Sequence, residues 1–199
     1  MQLVWHRFMT VLDTACNRYE VQIHAFVLMS NHYHMLLSTP LSNLDDFMRY
    51  FQTETSRKIS KKAERINHVF GTRYRPTLLK NATAFSYAFK YVFRNPVRAG
   101  LVKTVEAYRY SSLIFSRREL TIPVVERVDS LGEWIPRDWL ERMAWLNRPT
   151  PKECEELIGK ALRRRTFQFS KGNDVRKRLE GLKLVYGIPE SPTTFSAEK

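Results

Sequence analysis

Apolar residues Val4, Phe8, Val11, Leu12, Ala15 and Tyr19 recur every three or four positions, so the spacing predicts an amphipathic helix over about residues 3–19. The period then changes. The stretch Ala25-Phe26-Val27-Leu28-Met29-Ser30-Asn31-His32-Tyr33-His34-Met35-Leu36-Leu37 holds two short apolar runs that break at Ser30-Asn31. Such runs predict two strands joined by a tight turn. Pro40 and Ser42-Asn43 mark a loop, and either Ser42 or Asn43 is placed to cap the helix that follows. Leu44, Phe47, Met48, Phe51 and Ile59 form its apolar side, with Asp45 and Asp46 in the first turn, where carboxylates suit the positive dipole end.

Phe70 to Leu79 reads as a turn followed by another strand, in which Arg73 and Arg75 alternate with Tyr74. Phe85, Ala88, Phe89 and Val92 predict a further helix over about residues 83–94, stopped by Pro96, and Gly100 with Leu101-Val102 closes the segment. Beyond Ser112 the organisation shifts. Pro123, Pro136, Pro149 and Pro151 punctuate short segments, and Trp134, Trp139 and Trp145 supply apolar anchors. Thr150-Pro151-Lys152-Glu153 predicts a helix start with a capping box, and the helix ends in Arg163-Arg164-Arg165. A second basic run, Arg176-Lys177-Arg178, precedes a Pro-, Ser- and Thr-rich tail expected to be disordered. The chain is therefore divided into residues 1–115 and a basic, mainly helical extension over 116–199.

Composition narrows the class. Of 199 residues, 43% are hydrophobic and 13% aromatic, enough for a packed core. Lys and Arg number 33 against 20 acidic residues, a formal charge of +13, which predicts a polyanionic partner, nucleic acid before an anionic membrane. No apolar run approaches the roughly 20 residues that span a bilayer. The two cysteines, Cys16 and Cys154, form no paired motif, in keeping with a reducing cytoplasm.

Candidate chemistry lies in two places. On a strand, His32 and His34 project from one side with Cα atoms roughly 6.6 Å apart, half of a divalent-metal site. Alone, such a pair is more often structural or solvent-facing than metal-binding; it needs a third ligand and a reactive group. Tyr91 and Asn95, four residues apart on the predicted helix, share one face. A tyrosine phenol can attack a phosphodiester when cations polarise the phosphate, and an Asn carbonyl can complete a two-His site for Mg²⁺ or Mn²⁺. By charge alone, Arg49, Arg57, Lys58, Arg73 and Arg75 are candidate DNA contacts; Lys61, Lys62 and Arg65 extend the same helix.

The stretch 27–37, together with Tyr91-Val92-Phe93-Arg94-Asn95-Pro96-Val97-Arg98-Ala99-Gly100-Leu101-Val102, closely resembles the single-tyrosine HUH (IS200-like) transposases, and among them the REP-associated tyrosine transposases. Tyr108-Arg109-Tyr110-Ser111-Ser112 matches the family's aromatic-x-aromatic-Ser-Ser stretch, with Tyr110 where Trp is commoner. His68-Val69-Phe70-Gly71-Thr72-Arg73-Tyr74 resembles the segment leading into the family's last strand. The resemblance implies an α+β fold: a ferredoxin-like antiparallel sheet with helices on one face, here lacking the first strand, plus the C-terminal extension. It implies His32, His34 and Asn95 as metal ligands and Tyr91 as the nucleophile that forms a covalent 5′-phosphotyrosine. The implied enzyme is a metal-dependent DNA transposase acting on single-stranded or hairpin DNA, as a monomer or homodimer, in the bacterial cytoplasm. The missing strand supports an alternative, a domesticated or degenerate DNA-binding protein that no longer cleaves.

Overall fold

In the computed structural model, which describes residues 1–63, 70, 73–113 and 134–170, the chain opens on helix α1 (Gln2–Tyr19). Strands β1 (Gln22–Leu28) and β2 (Tyr33–Ser38) and helix α2 (Leu44–Ala63) follow, then α3 (Ala82–Arg98), a short 3-10 turn (Val105–Ala107), α4 (Trp139–Asn147) and α5 (Lys152–Ala161). The fold is α+β, and among the described residues its sheet has two antiparallel strands. The side chains of Lys61, Lys62 and Arg65, the 68–69 and 71–72 positions, and the Arg176-Lys177-Arg178 run with the tail lie outside the described residues.

Alternation along β1 divides the core in two. Ile23, Phe26 and Leu28 meet Phe8, Leu12 and Ala15 of α1 and Phe47 and Phe51 of α2, joined by Tyr33, Met35 and Leu37 of β2. Ala25, Val27 and Leu36 turn the other way, onto Phe85, Ala88, Phe89 and Val92 of α3. Ile23 and Phe26 share a face because the register shifts between Ile23 and Ala25: His24 is the extra residue of a β-bulge, its ring edge-on to Phe85. A two-stranded sheet that is apolar on both faces needs cover on both. Helices therefore occupy both faces, α1 and α2 on one and α3 on the other, where one covered face was expected.

The outer edge of β1 is closed by the aromatic-x-aromatic-Ser-Ser stretch. Leu28 N donates to Tyr110 O at 2.9 Å, Phe26 N to Ser112 Oγ at 2.9 Å, and Tyr108 Oη to Leu28 O at 2.8 Å. Ser111 forms a single antiparallel bridge with Val27. Backbone groups that a neighbouring strand would satisfy are met by a loop.

Four expectations of local structure fail for identifiable reasons. Arg73–Leu79 is not a strand: its one bridge is Leu78 with Thr166, and Pro76 has no N–H to give a ladder. Asn43 does not cap α2, because its Nδ2 donates to Tyr19 O at 2.9 Å and ties the end of α1 to the start of α2. Thr150 caps nothing; α5 begins after Pro151, whose carbonyl accepts from Cys154 N and Glu155 N. Finally, α3 runs through Pro96 to Arg98.

Helices α4 and α5 pack back onto α3. Trp145, Leu146 and Ile158 join the same apolar cluster as Phe89 and Phe93. Arg94 of α3 donates from Nη1 to Leu146 O and Asn147 O, each at 3.1 Å, and so meets the carbonyl end of α4.

Candidate functional site: a histidine pair beside a tyrosine

The Ser30-Asn31 turn delivers His32 immediately before β2 and His34 within it, both on the α3 side of the sheet. Met29 N donates to His32 O at 2.8 Å and closes the turn. The two imidazoles converge, with Nε2 to Nε2 at 3.2 Å. Nδ1 of His32 lies 2.6 Å from Asn31 Oδ1. A carboxamide oxygen can only accept, so Nδ1 carries the proton and Nε2 of His32 presents its lone pair.

Burial first, then the neighbouring His32 and Arg98, push the His34 imidazole down to about 4, so it is neutral at physiological pH. Two imidazole nitrogens 3.2 Å apart suit one divalent cation, since ligands at about 2.1 Å on adjacent octahedral positions stand about 3.0 Å from each other. No third His, Cys, Asp or Glu joins them among the described residues, so a third ligand drawn from those residues has to be of another type.

Tyr91 and Asn95 come from α3. The Tyr91 ring stands edge-on to His34, with centroids 6.0 Å apart. Asn95 is anchored by its amide nitrogen, which donates to Tyr91 O at 2.7 Å and reaches Val92 O at 3.5 Å. Its carbonyl oxygen is the atom left to offer a cation. His32, His34, Tyr91 and Asn95 all line one groove of about 1360 Å³. β2 forms one part of its wall and residues 73–79 another.

The charge-based candidates separate by position. Arg73 and Arg75 line the groove, as do Arg163 and Arg165 from beyond α5, which the sequence reading had only as a basic helix end. Arg73 is paired with Asp45 at 3.1 Å, and hydrogen bonds from Tyr74 and Arg73 hold the Asp45 carboxyl below its usual range. Arg49, Arg57 and Lys58 lie on α2 and do not line this groove. Arg49 pairs with Asp46 at 2.7 Å and Arg57 with Glu54 at 2.8 Å, both on the surface.

Three neighbours of Tyr91 were missed from sequence. The Arg98 guanidinium carbon lies 4.7 Å from the Tyr91 ring centroid, stacked on its face. Glu155 of α5 pairs with Arg98 at 3.1 Å, and Gly159 of α5 faces the phenol. Arg98 was within reach of spacing alone, at seven residues from Tyr91, had α3 been carried past Pro96. Nothing in the pattern of α5 announces its two residues.

Residues 2–95, just under half of the chain, match the family described as "Transposase IS200 like". The chain is also similar to a protein of Haemophilus influenzae named "Putative REP-associated tyrosine transposase", at 23% identity over 146 residues, 67% of this chain and 75% of the relative. No solved structure is significantly similar to the chain. Among the described residues, no helix is long and apolar enough to cross a membrane.

Proposed function

We propose that the chain cleaves and rejoins single-stranded, hairpin-associated DNA through a covalent 5′-phosphotyrosine on Tyr91. The observation that carries this reading is the convergence of His32 and His34 at 3.2 Å with the Tyr91 ring edge-on to His34, in one groove. In the reaction the phenol oxygen bonds to phosphorus and the P–O3′ bond breaks. The phenol proton leaves to solvent, and the departing 3′ oxygen takes a proton to become a free hydroxyl. His32, His34 and the Asn95 carbonyl would hold a divalent cation, Mg²⁺ or Mn²⁺, which when bound supplies Lewis-acid polarisation of the phosphate. Arg73 and Arg75 would run along the phosphate backbone, giving affinity while unpaired bases give specificity. In this reading residues 1–115 carry the chemistry, helices α4 and α5 of the 116–199 extension brace it, and the protein works on DNA in the bacterial cytoplasm as a monomer or homodimer.

The test is incubation of the full chain with labelled single-stranded hairpin DNA and Mn²⁺, followed by denaturing electrophoresis. A covalent protein–DNA adduct that vanishes in Tyr91→Phe is expected. A folded protein that yields no adduct with a panel of hairpins would sink the proposal. The second reading, DNA binding without cleavage, is favoured by one observation, the two strands that make up the sheet among the described residues. It expects salt-sensitive binding that His32→Ala and removal of divalent cations leave unchanged.

A further inference from the structure

Tyr91 is enclosed on three sides, and two of them are built by parts of the chain to which the functional reading gives no role. His34 meets the ring at its edge, 6.0 Å between centroids. Arg98, seven residues on and so on the same helix face, lies over the ring at 4.7 Å. Gly159 of α5 closes the third side: the three atoms nearest to where a Cβ would stand all belong to Tyr91, the hydroxyl oxygen at 3.4 Å and two ring carbons at 3.7 and 3.9 Å. Glycine is the least favoured residue after proline inside a helix, and this one sits in the interior of Lys152–Ala161. A methyl there would rest in ordinary contact with the phenol, and any larger side chain would compete with it for space.

Glu155 stands one turn before Gly159 and grips two arginines of α3. Its Oε1 is 3.4 Å from Arg94 Nε, and its Oε2 is 3.1 Å from Arg98 Nε. The two contacts differ in kind. Arg94, 9% exposed, also donates to two carbonyls of α4 and knits three helices together. Arg98, 29% exposed, pairs with Glu155 and holds its guanidinium over the Tyr91 ring. A planar cation fixed at one edge by a carboxylate restricts where the ring beneath it can turn.

We propose that Arg98, Glu155 and Gly159 are positioning residues for Tyr91, α5 and the end of α3 forming a clamp that sets the direction of the phenol oxygen. The proposal rests on Tyr91 as the nucleophile. An in-line displacement tolerates little misplacement of the attacking atom: about 1 Å costs on the order of 100-fold in rate. Gly159 leaves room for the hydroxyl, Arg98 fixes the ring plane, and Glu155 acts through Arg98 with no contact to the reacting atoms.

The experiment measures adduct formation by the full-length protein on a labelled single-stranded hairpin with Mn²⁺ at saturating DNA. Hairpin affinity is measured separately by anisotropy in a Tyr91→Phe background. Arg98→Ala is expected to slow adduct formation by about 10- to 100-fold, with affinity within about 2-fold and with part of the rate restored in Arg98→Lys. Glu155→Gln slows it less, and the double variant is no slower than Arg98→Ala alone, because Glu155 works through Arg98. Should Glu155→Gln lose its fold through Arg94, Gly159→Leu decides: it gains helix propensity, carries atoms beyond Cβ into the space of the phenol, and slows the reaction in a protein whose thermal unfolding shows the fold is kept.

Rate and affinity falling together would make Arg98 a DNA contact and overturn the proposal. So would wild-type rates in Arg98→Ala or in Gly159→Leu. A fluorine spectrum of fluorotyrosine-labelled protein, with the Tyr91 line assigned by its loss in Tyr91→Phe, separates this inference from the one beneath it. One sharp Tyr91 line that broadens or splits in Arg98→Ala supports the clamp even if the wild-type protein yields no adduct, an outcome that would sink the nucleophile alone. A line that does not respond overturns the clamp whatever the activity.

Discussion

Pro96 cannot donate the hydrogen bond that a helix would direct to Val92 O, and in a helix interior such a loss, with the ring's clash, costs about 3 kcal/mol. Asn95 offsets part of this: its side-chain nitrogen covers Tyr91 O and approaches Val92 O. One residue thus supports the helix with its nitrogen and faces the site with its oxygen. Asn31 plays a comparable part for His32, fixing the tautomer through a 2.6 Å contact. Outer partners of this sort are commonly worth about 10- to 100-fold in metal affinity. Asn31→Ala is accordingly expected to raise the Mn²⁺ concentration for half-maximal binding by at least about 10-fold, followed by electron paramagnetic resonance of free Mn²⁺, with the fold unchanged. The pair His32 and His34 and the pair Tyr91 and Asn95 were legible because each obeys a local period, two for a strand and four for a helix turn. Arg98 was lost to the assumption that Pro96 ends α3, and Glu155 and Gly159 were not legible, since their relation to Tyr91 is purely tertiary.

At the scale of elements, α3 is the hinge of the architecture, with one face on the sheet and another on α4 and α5. Its Lys90 is fully buried, with Nζ 5.1 Å from the ring centroid of Trp145. Burial first, then Arg94 and Arg148, push the Lys90 ammonium down to about 7, opposed by Glu155. The folded value lies below the 10.5 of a free lysine, so between about 7 and 10.5 the unfolded chain binds the extra proton. Through that window this group makes folding more favourable as pH rises, and below it the contribution is flat. Thermal midpoints recorded from pH 6 to pH 10 should therefore rise less steeply in Lys90→Met than in the wild type. The helices α1, α2 and α3 and the hairpin were all legible from periodicity. The segment 73–79 misled because alternation of Arg73, Tyr74 and Arg75 carries the signature of a strand but cannot supply a partner for it.

For the whole molecule, charge governs the encounter with DNA. A formal +13 over 199 residues sets a strong, salt-dependent attraction that is indifferent to sequence. Only the arginines along the groove should count in the bound complex. Arg75→Ala is expected to reduce the slope of log K against log salt by about one, and Arg49→Ala, outside the groove and paired with Asp46, to leave it unchanged. Titrations of hairpin binding between low and moderate salt measure both slopes. Composition pointed to a polyanionic partner from the outset. Which basic residues share a surface was not, because Arg73 and Arg163 are brought to one groove by the packing of α5 on α3.

The extra residue at His24 gives β1 something like a reading frame. Ile23 and Phe26 reach the same face only because His24 stands between Ile23 and Ala25, out of register with β2. Deleting it would turn either Ile23 or the run from Ala25 to Leu28 onto the opposite face, exchanging the partners of α1 and α2 for those of α3. Lineages descended from this chain are thus free to substitute along the strand but not to change its length by one. A single-codon loss there would scramble the interior as thoroughly as a frameshift scrambles a gene.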